Sequence, residues 1–294
     1  MKRLKGMTYS HEHVRVDLSR IKNIDDTNLN CKEETIEEFK RLKELGVDNV
    51  VEVTNMGMGR DIQYMEDVRK ASGVNLLYST GFYKEPFLPD FFYEKTTEEL
   101  ADLMVHELTV GIDGTNIKAS VIGEVGTSKN EMTEAEHKLY EASVMAHKRT
   151  NAPISTHTTL GTYILEQAKF FIERGVSPDR VYIGHCDIGG DIEAIKSVLK
   201  QGFFIGFDTV HKNNYYKDED RIKMLLELQK ENLMDGVMMA LDITRKTQLK
   251  YKGGYGYESL ITNFVPAMLE AGITIENIEK IFVHNPKRYL KGLI

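Results

Sequence analysis

The feature that most constrains the fold is a rhythm: short apolar runs alternate with amphipathic segments from end to end of the 294-residue chain. Eight runs read as strands: residues 7–13, 49–54, 75–81, 119–126, 154–157, 181–185, 203–208 and 237–242. Between them, residues 35–45, 97–110, 133–150, 161–174, 191–200 and 218–231 carry apolar side chains at helical spacing. The 97–110 segment has a Thr-x-x-Glu start, the pattern of a capping box. Gly46, Gly111, Gly175 and Gly202 stand where segments end, and glycine accepts the left-handed conformation that terminates a helix. Alternation of this kind predicts repeated βα units and a mostly parallel sheet. Eight such units predict a TIM-type (β/α)8 barrel, with residues 1–294 forming one domain. The rival is an open doubly wound sheet, which usually carries Gly-x-Gly-x-x-Gly after its first strand. Here the first run ends in His11-Glu12-His13, and the Gly253-Gly254-Tyr255-Gly256 stretch has the wrong spacing and reads as a loop.

Composition removes several function classes. The net charge is −7 and no block of five or more lysines and arginines occurs, which argues against a nucleic-acid partner. No run approaches the length of a membrane span, and no apolar segment of signal-peptide length follows the basic opening residues. Cys31 and Cys186 do not form a Cys-x-x-Cys pair. They read as reduced thiols of a cytoplasmic protein.

The chemistry-bearing residues fall at the ends of the predicted strands, where a parallel barrel gathers its site. Side chains two apart on a strand share a face, so His11 and His13 project the same way, with Cα atoms roughly 6–7 Å apart. Two imidazoles so placed can chelate one ion; Glu12 points the other way. The runs 154–157 and 181–185 stop at His157 and His185, and the run 237–241 is followed at once by Asp242. On the strand 119–126, simple alternation puts Glu124 on one face with Ser120 and Ile122. Each residue alone has an ordinary structural explanation. A histidine at a strand end is often hydrogen-bonded, and an aspartate there often caps the next helix. Repetition at five strands favours a shared site. Four imidazoles and two carboxylates suffice for two divalent ions, and suit zinc, manganese, cobalt or iron better than calcium or magnesium.

Several segments also carry a resemblance. His11-Glu12-His13, Ile122-Gly123-Glu124-Val125-Gly126-Thr127-Ser128, Ser155-Thr156-His157-Thr158, Gly184-His185-Cys186-Asp187 and Asp242-Ile243-Thr244-Arg245 occur in that order. Gly111-Ile112-Asp113-Gly114-Thr115, Phe207-Asp208-Thr209 and Asn285-Pro286 accompany them. The chain resembles the phosphotriesterase family of the amidohydrolase superfamily, and within it the branch of phosphotriesterase homology proteins. The resemblance spans essentially the whole chain. It implies a distorted barrel with a binuclear centre, usually zinc. His11, His13 and Asp242 would ligate the more buried ion, His157 and His185 the more exposed one. A carboxylate from the fourth strand would bridge them. Glu124 stands where phosphotriesterases and lactonases place a carboxylated lysine; a glutamate is what the homology-protein branch shows.

The function so implied is metal-dependent hydrolysis of an ester-like bond in a lactone, carboxylic ester or organophosphorus ester. A metal-bridging hydroxide is the nucleophile and Asp242 the catalytic proton acceptor. Three further residues are expected to touch substrate. Tyr83 follows the third strand and can hydrogen-bond the attacked oxygen. Arg245 can hold a phosphate or carboxylate as a bidentate donor. Asp208, at the end of the seventh strand, and Lys212 can face the pocket. These cations favour an anionic small molecule. A deaminase of the same superfamily would need a His-Glu pair after strand five, and no such glutamate lies near His185. The alternative outside enzymology is an inactive metal-binding scaffold or regulatory module. A homodimer is left open.

Overall fold

The computed structural model describes residues 4–294. Among them, eight strands form one sheet: β1 (Met7–Glu12), β2 (Val47–Glu52), β3 (Asn75–Thr80), β4 (Val121–Thr127), β5 (Ile154–Thr158), β6 (Val181–Gly184), β7 (Phe204–Phe207) and β8 (Val237–Met239). Each pairs in parallel with the next, in chain order. Helices alternate with the strands, so the expected (β/α)8 barrel is the observed fold. No helix among the described residues is long and apolar enough to cross a membrane.

The alternation of side chains builds two apolar layers. Val51, Val53, Leu77, Val121, Phe204 and Met238 fill the lumen, completed by Tyr289 and Leu290 from the chain's end. Their neighbours in sequence, such as Val50, Leu76, Ile122, Ile205 and Val237, join the larger layer between sheet and helices. Capping boxes form at Thr96 with Glu99 and at Thr133 with Glu136, and Gly46 closes the helix Lys32–Leu45 at φ 97°. The helix Ile62–Ser72, between β2 and β3, lies outside the helical segments legible in the sequence; Asp61 caps it by accepting from the Tyr64 amide. The segment expected as a helix over 161–174 starts later, as Ile164–Glu173, behind a single turn at Thr159–Gly161.

Two irregularities decide what faces the lumen. Between Tyr9 and Glu12, β1 gains one residue on β2, and between Ile122 and Val125, β4 gains one on β5. An extra residue resets alternation. Ile122 therefore packs outward while Glu124 enters the lumen, which corrects the shared face expected from an unbroken strand. Gly123, at φ 143°, makes the turn; a β-carbon there would collide with the Ser155 carbonyl oxygen.

The seam between β8 and β1 is closed differently. No backbone ladder joins these two strands among the described residues. The Ser10 hydroxyl donates to the Met239 carbonyl (3.1 Å), and the Glu12 carboxylate accepts from the amides of Leu241 (2.6 Å) and Ile243 (3.1 Å).

Candidate metal centre

The C-terminal ends of β1, β4, β5, β6 and β8 deliver the six expected residues to one place. Glu124 is the hub. Its Oε1 lies 3.4 Å from His13 Nε2. Its Oε2 lies 3.3 Å from His11 Nε2, 3.2 Å from His157 Nδ1 and 3.7 Å from His185 Nε2. Asp242 Oδ1 stands 3.2 Å from His13 Nε2 and 3.7 Å from His11 Nε2. Three overlapping triads, His11–His13–Glu124, His11–His185–Asp242 and Glu124–His157–His185, each hold ligand atoms within 4.8 Å of one another. His157 is the outermost of the four histidines, its side chain 13% exposed.

The donors fit a divalent transition metal. Neither ring nitrogen of the fully buried His11 finds a hydrogen-bond partner among the described residues, although carboxylates stand close by. Such orphaned polar atoms are rare without an occupant to satisfy them. The mixed imidazole and carboxylate set, arranged around one shared carboxylate, is the chemistry of zinc, manganese, cobalt or iron.

Several supporting groups were not legible as such in the sequence. Thr54 Oγ1 holds His13 Nδ1 (2.8 Å), and Asp208 Oδ1 holds His185 Nδ1 (2.8 Å) while its Oδ2 accepts from the Tyr182 hydroxyl (2.6 Å). Asp208 thus supports an imidazole from behind rather than facing the pocket, the usual outer partner of a metal-bound histidine. Tyr257, in the glycine-rich loop, is fully buried and donates to the His13 carbonyl (2.5 Å). Asp208 is marked in the sequence by its position at a strand end and by the Phe207-Asp208-Thr209 segment of the resemblance.

The electrostatics of the cluster favour cations. Burial alone would raise the Glu124 carboxyl, but His11, His13 and His157 hold it well below the usual carboxylate range. Burial likewise opposes ionisation of Asp242, yet Lys212, then His13, keep it ionised. Burial would lower His13, but the Asp242 and Glu124 carboxylates push it up to about 10; Asp208 and Glu124 likewise raise His185 against burial. His157 falls to about 4, driven first by burial and then by His185.

A pocket of about 230 Å³ opens above the cluster. Tyr83 is on its wall, with its hydroxyl 3.1 Å from His157 Nε2. Lys212 also lines it, and its ammonium rests on Asp242 Oδ2. Arg245 is not among the lining residues; it follows the lining residue Thr244, and its Nη1 stands 3.6 Å from Asp26 Oδ2. Two lysines that the sequence did not single out, Lys22 and Lys84, stand at the pocket instead.

A model of the phosphotriesterase family matches residues 3–290. The chain belongs to the phosphotriesterase family. Among family relatives, it is 40% identical to the phosphotriesterase homology protein of Escherichia coli, over 97% of this chain and 98% of the other. The crystal structure of that protein, complexed with phosphate in its active site, superposes with a TM-score of 0.96 over 98% and 99% of the two chains. An aryldialkylphosphatase of Saccharolobus solfataricus is 32% identical over 97% and 94%. The structure of a lactonase from Listeria monocytogenes is 29% identical, with a TM-score of 0.92 over 98% and 95%. The family relatives thus include hydrolases of more than one kind.

Proposed function

We propose that this chain is a binuclear metal-dependent hydrolase of an ester-like bond in a small anionic molecule. The observation that carries the reading is Glu124, one carboxylate within 3.2–3.7 Å of nitrogens from all four imidazoles. His11, His13 and Asp242 would hold one ion, His157 and His185 the other, and Glu124 both. When bound, the ions would supply a nucleophile at neutral pH and a Lewis acid for a carbonyl or phosphoryl oxygen. Asp242 is ionised and open to the pocket, so it can accept a proton from attacking solvent and return it to the leaving group. Lys212 holds the second Asp242 oxygen and fixes the direction of the first. Burial, then Glu124, raises the Tyr83 phenol, which therefore stays a hydrogen-bond donor toward the attacked oxygen.

Size and charge narrow the substrate. The pocket is smaller than the ~300–1,000 Å³ of typical ligand sites, which favours a small lactone or ester over a bulky triester. Its lining carboxylates are Glu124 and Asp242, whereas Lys22, Lys84 and Lys212 supply three ammonium groups. Among the described residues the Lys84 ammonium hydrogen-bonds only a backbone carbonyl, that of Glu85 (2.7 Å), and the Lys22 ammonium lies 5.9 Å from the Phe87 ring. The phosphate in the active site of the Escherichia coli relative agrees with an anion-accepting pocket. The test is a screen of metal-loaded protein against lactones, carboxylic esters and phosphoesters, each in neutral and anionic forms. Turnover of small anionic members is expected. Lys22→Ala and Lys84→Ala should each raise KM for them at least about tenfold, the weight of a hydrogen bond to a charged group, and leave neutral analogues unchanged. Two bound ions with no turnover across the panel would favour the inactive scaffold.

Metal loading carries a proton signature. At pH 7 the metal-free protein holds protons on His13, with its value near 10, and on His185, also raised; His157, near 4, is already neutral. A metal must displace the first two protons and not the third. Apparent affinity should therefore rise with pH across the neutral range, by about a decade per pH unit for each proton displaced. Calorimetry in buffers of different ionisation enthalpy should register the release. Affinity that is flat with pH and free of proton release would show His13 and His185 to be already neutral in the metal-free protein.

A further inference from the structure

We infer that Glu12, the residue between the two histidines of the first strand, is the positioning residue that sets Asp242 against the metal centre. The inference rests on the metal-site reading above, but its geometry stands independently. β8 ends as a strand at Met239, and the last amide it pairs with β7 is Ala240, which reaches the Phe207 carbonyl at 3.4 Å. The three residues that follow receive no ladder from either side. Asp242 itself lies at φ 51°, a left-handed conformation uncommon for a side-chain-bearing residue. Strand regularity therefore cannot place its carboxylate.

Glu12 does what the missing ladder would do. Its two oxygens take the amides on either side of Asp242: Oε1 accepts from Leu241 at 2.6 Å and Oε2 from Ile243 at 3.1 Å. The residue is fully buried, so both acceptors are committed to this one segment. Glu12 is also tied to β1, where its carbonyl accepts from the Val53 amide at 3.0 Å, and His11 and His13 flank it. One side chain thus couples the imidazoles of β1 to the carboxylate beyond β8, across the one seam that lacks backbone pairing. The Asp242 Oδ1 distances to His13 (3.2 Å) and His11 (3.7 Å) follow from this clamp. The extra residue of β1 between Tyr9 and Glu12 gives it the reach, because it turns Glu12 toward the seam while both histidines face the lumen.

A neighbouring pair repeats the device. The Glu52 carboxylate, also fully buried, accepts from the amides of Thr54 (2.7 Å) and Val14, and Thr54 in turn holds His13. Two carboxyl groups that do not line the pocket above the centre and make no ion pair among the described residues thus frame the His13 side of the centre. Their task is to receive amides that the barrel's irregular strand ends leave without partners.

The test uses Glu12→Gln, which keeps size but turns one acceptor into a donor facing an amide, and Glu12→Asp, which keeps the carboxyl group but retracts both oxygens. Titration with zinc against a competing chelator is expected to find one of the two metal equivalents weakened by about 10–100-fold in each variant, the loss typical of an outer partner, while the other equivalent keeps its affinity. For a substrate found in the screen, kcat should fall with KM little changed. Should Glu12→Gln fail to fold, Glu12→Asp carries the comparison. Crystal structures of metal-free wild-type and variant protein separate this inference from the functional reading: the variant should show Asp242 displaced from His13. An Asp242 carboxylate still 3.2 Å from His13 Nε2, or two equivalents bound as in the wild type, overturns the role of Glu12 whether or not the protein hydrolyses anything. Wild-type protein that binds no metal, with Asp242 displaced in the variant, would sink the metal reading and leave the clamp standing.

Discussion

Replacement of Asp242 by Asn should leave a folded protein that has lost nearly all of its hydrolytic rate. Removal of a positioned general base alone costs about 10²–10⁴-fold. Asp242 is also proposed to hold an ion through Oδ1, so the total loss in kcat should reach or exceed the upper end of that range. The variant carries a second consequence. The Lys212 ammonium, its side chain only 8% exposed, rests on Asp242 Oδ2 and would face a neutral amide. Breaking a buried pair from one side costs on the order of 3–5 kcal/mol, because the remaining charge stays buried and unmatched. That is a large part of a typical folding free energy, so Asp242→Asn should melt at a clearly lower temperature while still folding. Adding Lys212→Met removes the orphaned charge. The double variant should regain much of the thermal stability and none of the rate. This pattern separates chemistry from structure: recovery of turnover along with stability would show that Asp242 matters only as the partner of Lys212.

The barrel and the six residues that converge at its candidate metal centre were legible in the sequence because both depend largely on local features. Periodicity marks the strands, and a position at or just past an apolar run marks His157, His185 and Asp242 as candidates without knowledge of any other part of the chain. His11 and His13 share a face because two residues on a strand always do. What was hidden depends on distant partners. The register gains near Glu12 and Glu124 exist only relative to β2 and β5, so unbroken alternation put Ile122 and Glu124 together, whereas the folded chain separates them. Arg245 looked like an anion clamp because it follows Asp242 closely. Its partner, Asp26, is 219 positions away in sequence and comes alongside only when the barrel closes. Lys22 ends the short helix Ser19–Lys22 and Lys84 lies in a loop; neither has a motif of its own, and both become conspicuous only as cations beside two carboxylates. Asp208 shows the same limit from the other side: its strand-end position was visible, but its orientation behind His185 was set by Tyr182 on the neighbouring strand.

Glu124→Gln should remove the second ion and with it the activity. Glutamine reproduces the shape of the side chain in its buried setting, so a large effect cannot be assigned to a cavity. What changes is the charge and one donor atom. Oε2 is near nitrogens of His11, His157 and His185, while Oε1 serves His13. An amide offers one oxygen in place of two and no negative charge, and it cannot span two cations. The metal content of purified, reconstituted variant should fall from two equivalents to one or none, measured by elemental analysis. The rate should drop well beyond the about 10–100-fold that follows loss of a residue that merely supports a ligand. The metal-free variant should also report the missing charge: with Glu124 neutral, His13 loses one of the two carboxylates that raise it to about 10, so its titration, followed by NMR of the imidazole protons, should move down. Asp242 still holds His13 up, which is why the shift should be partial. A variant that retains both ions and full turnover would leave Glu124 a buried carboxylate among histidines, and the centre would need a different bridge.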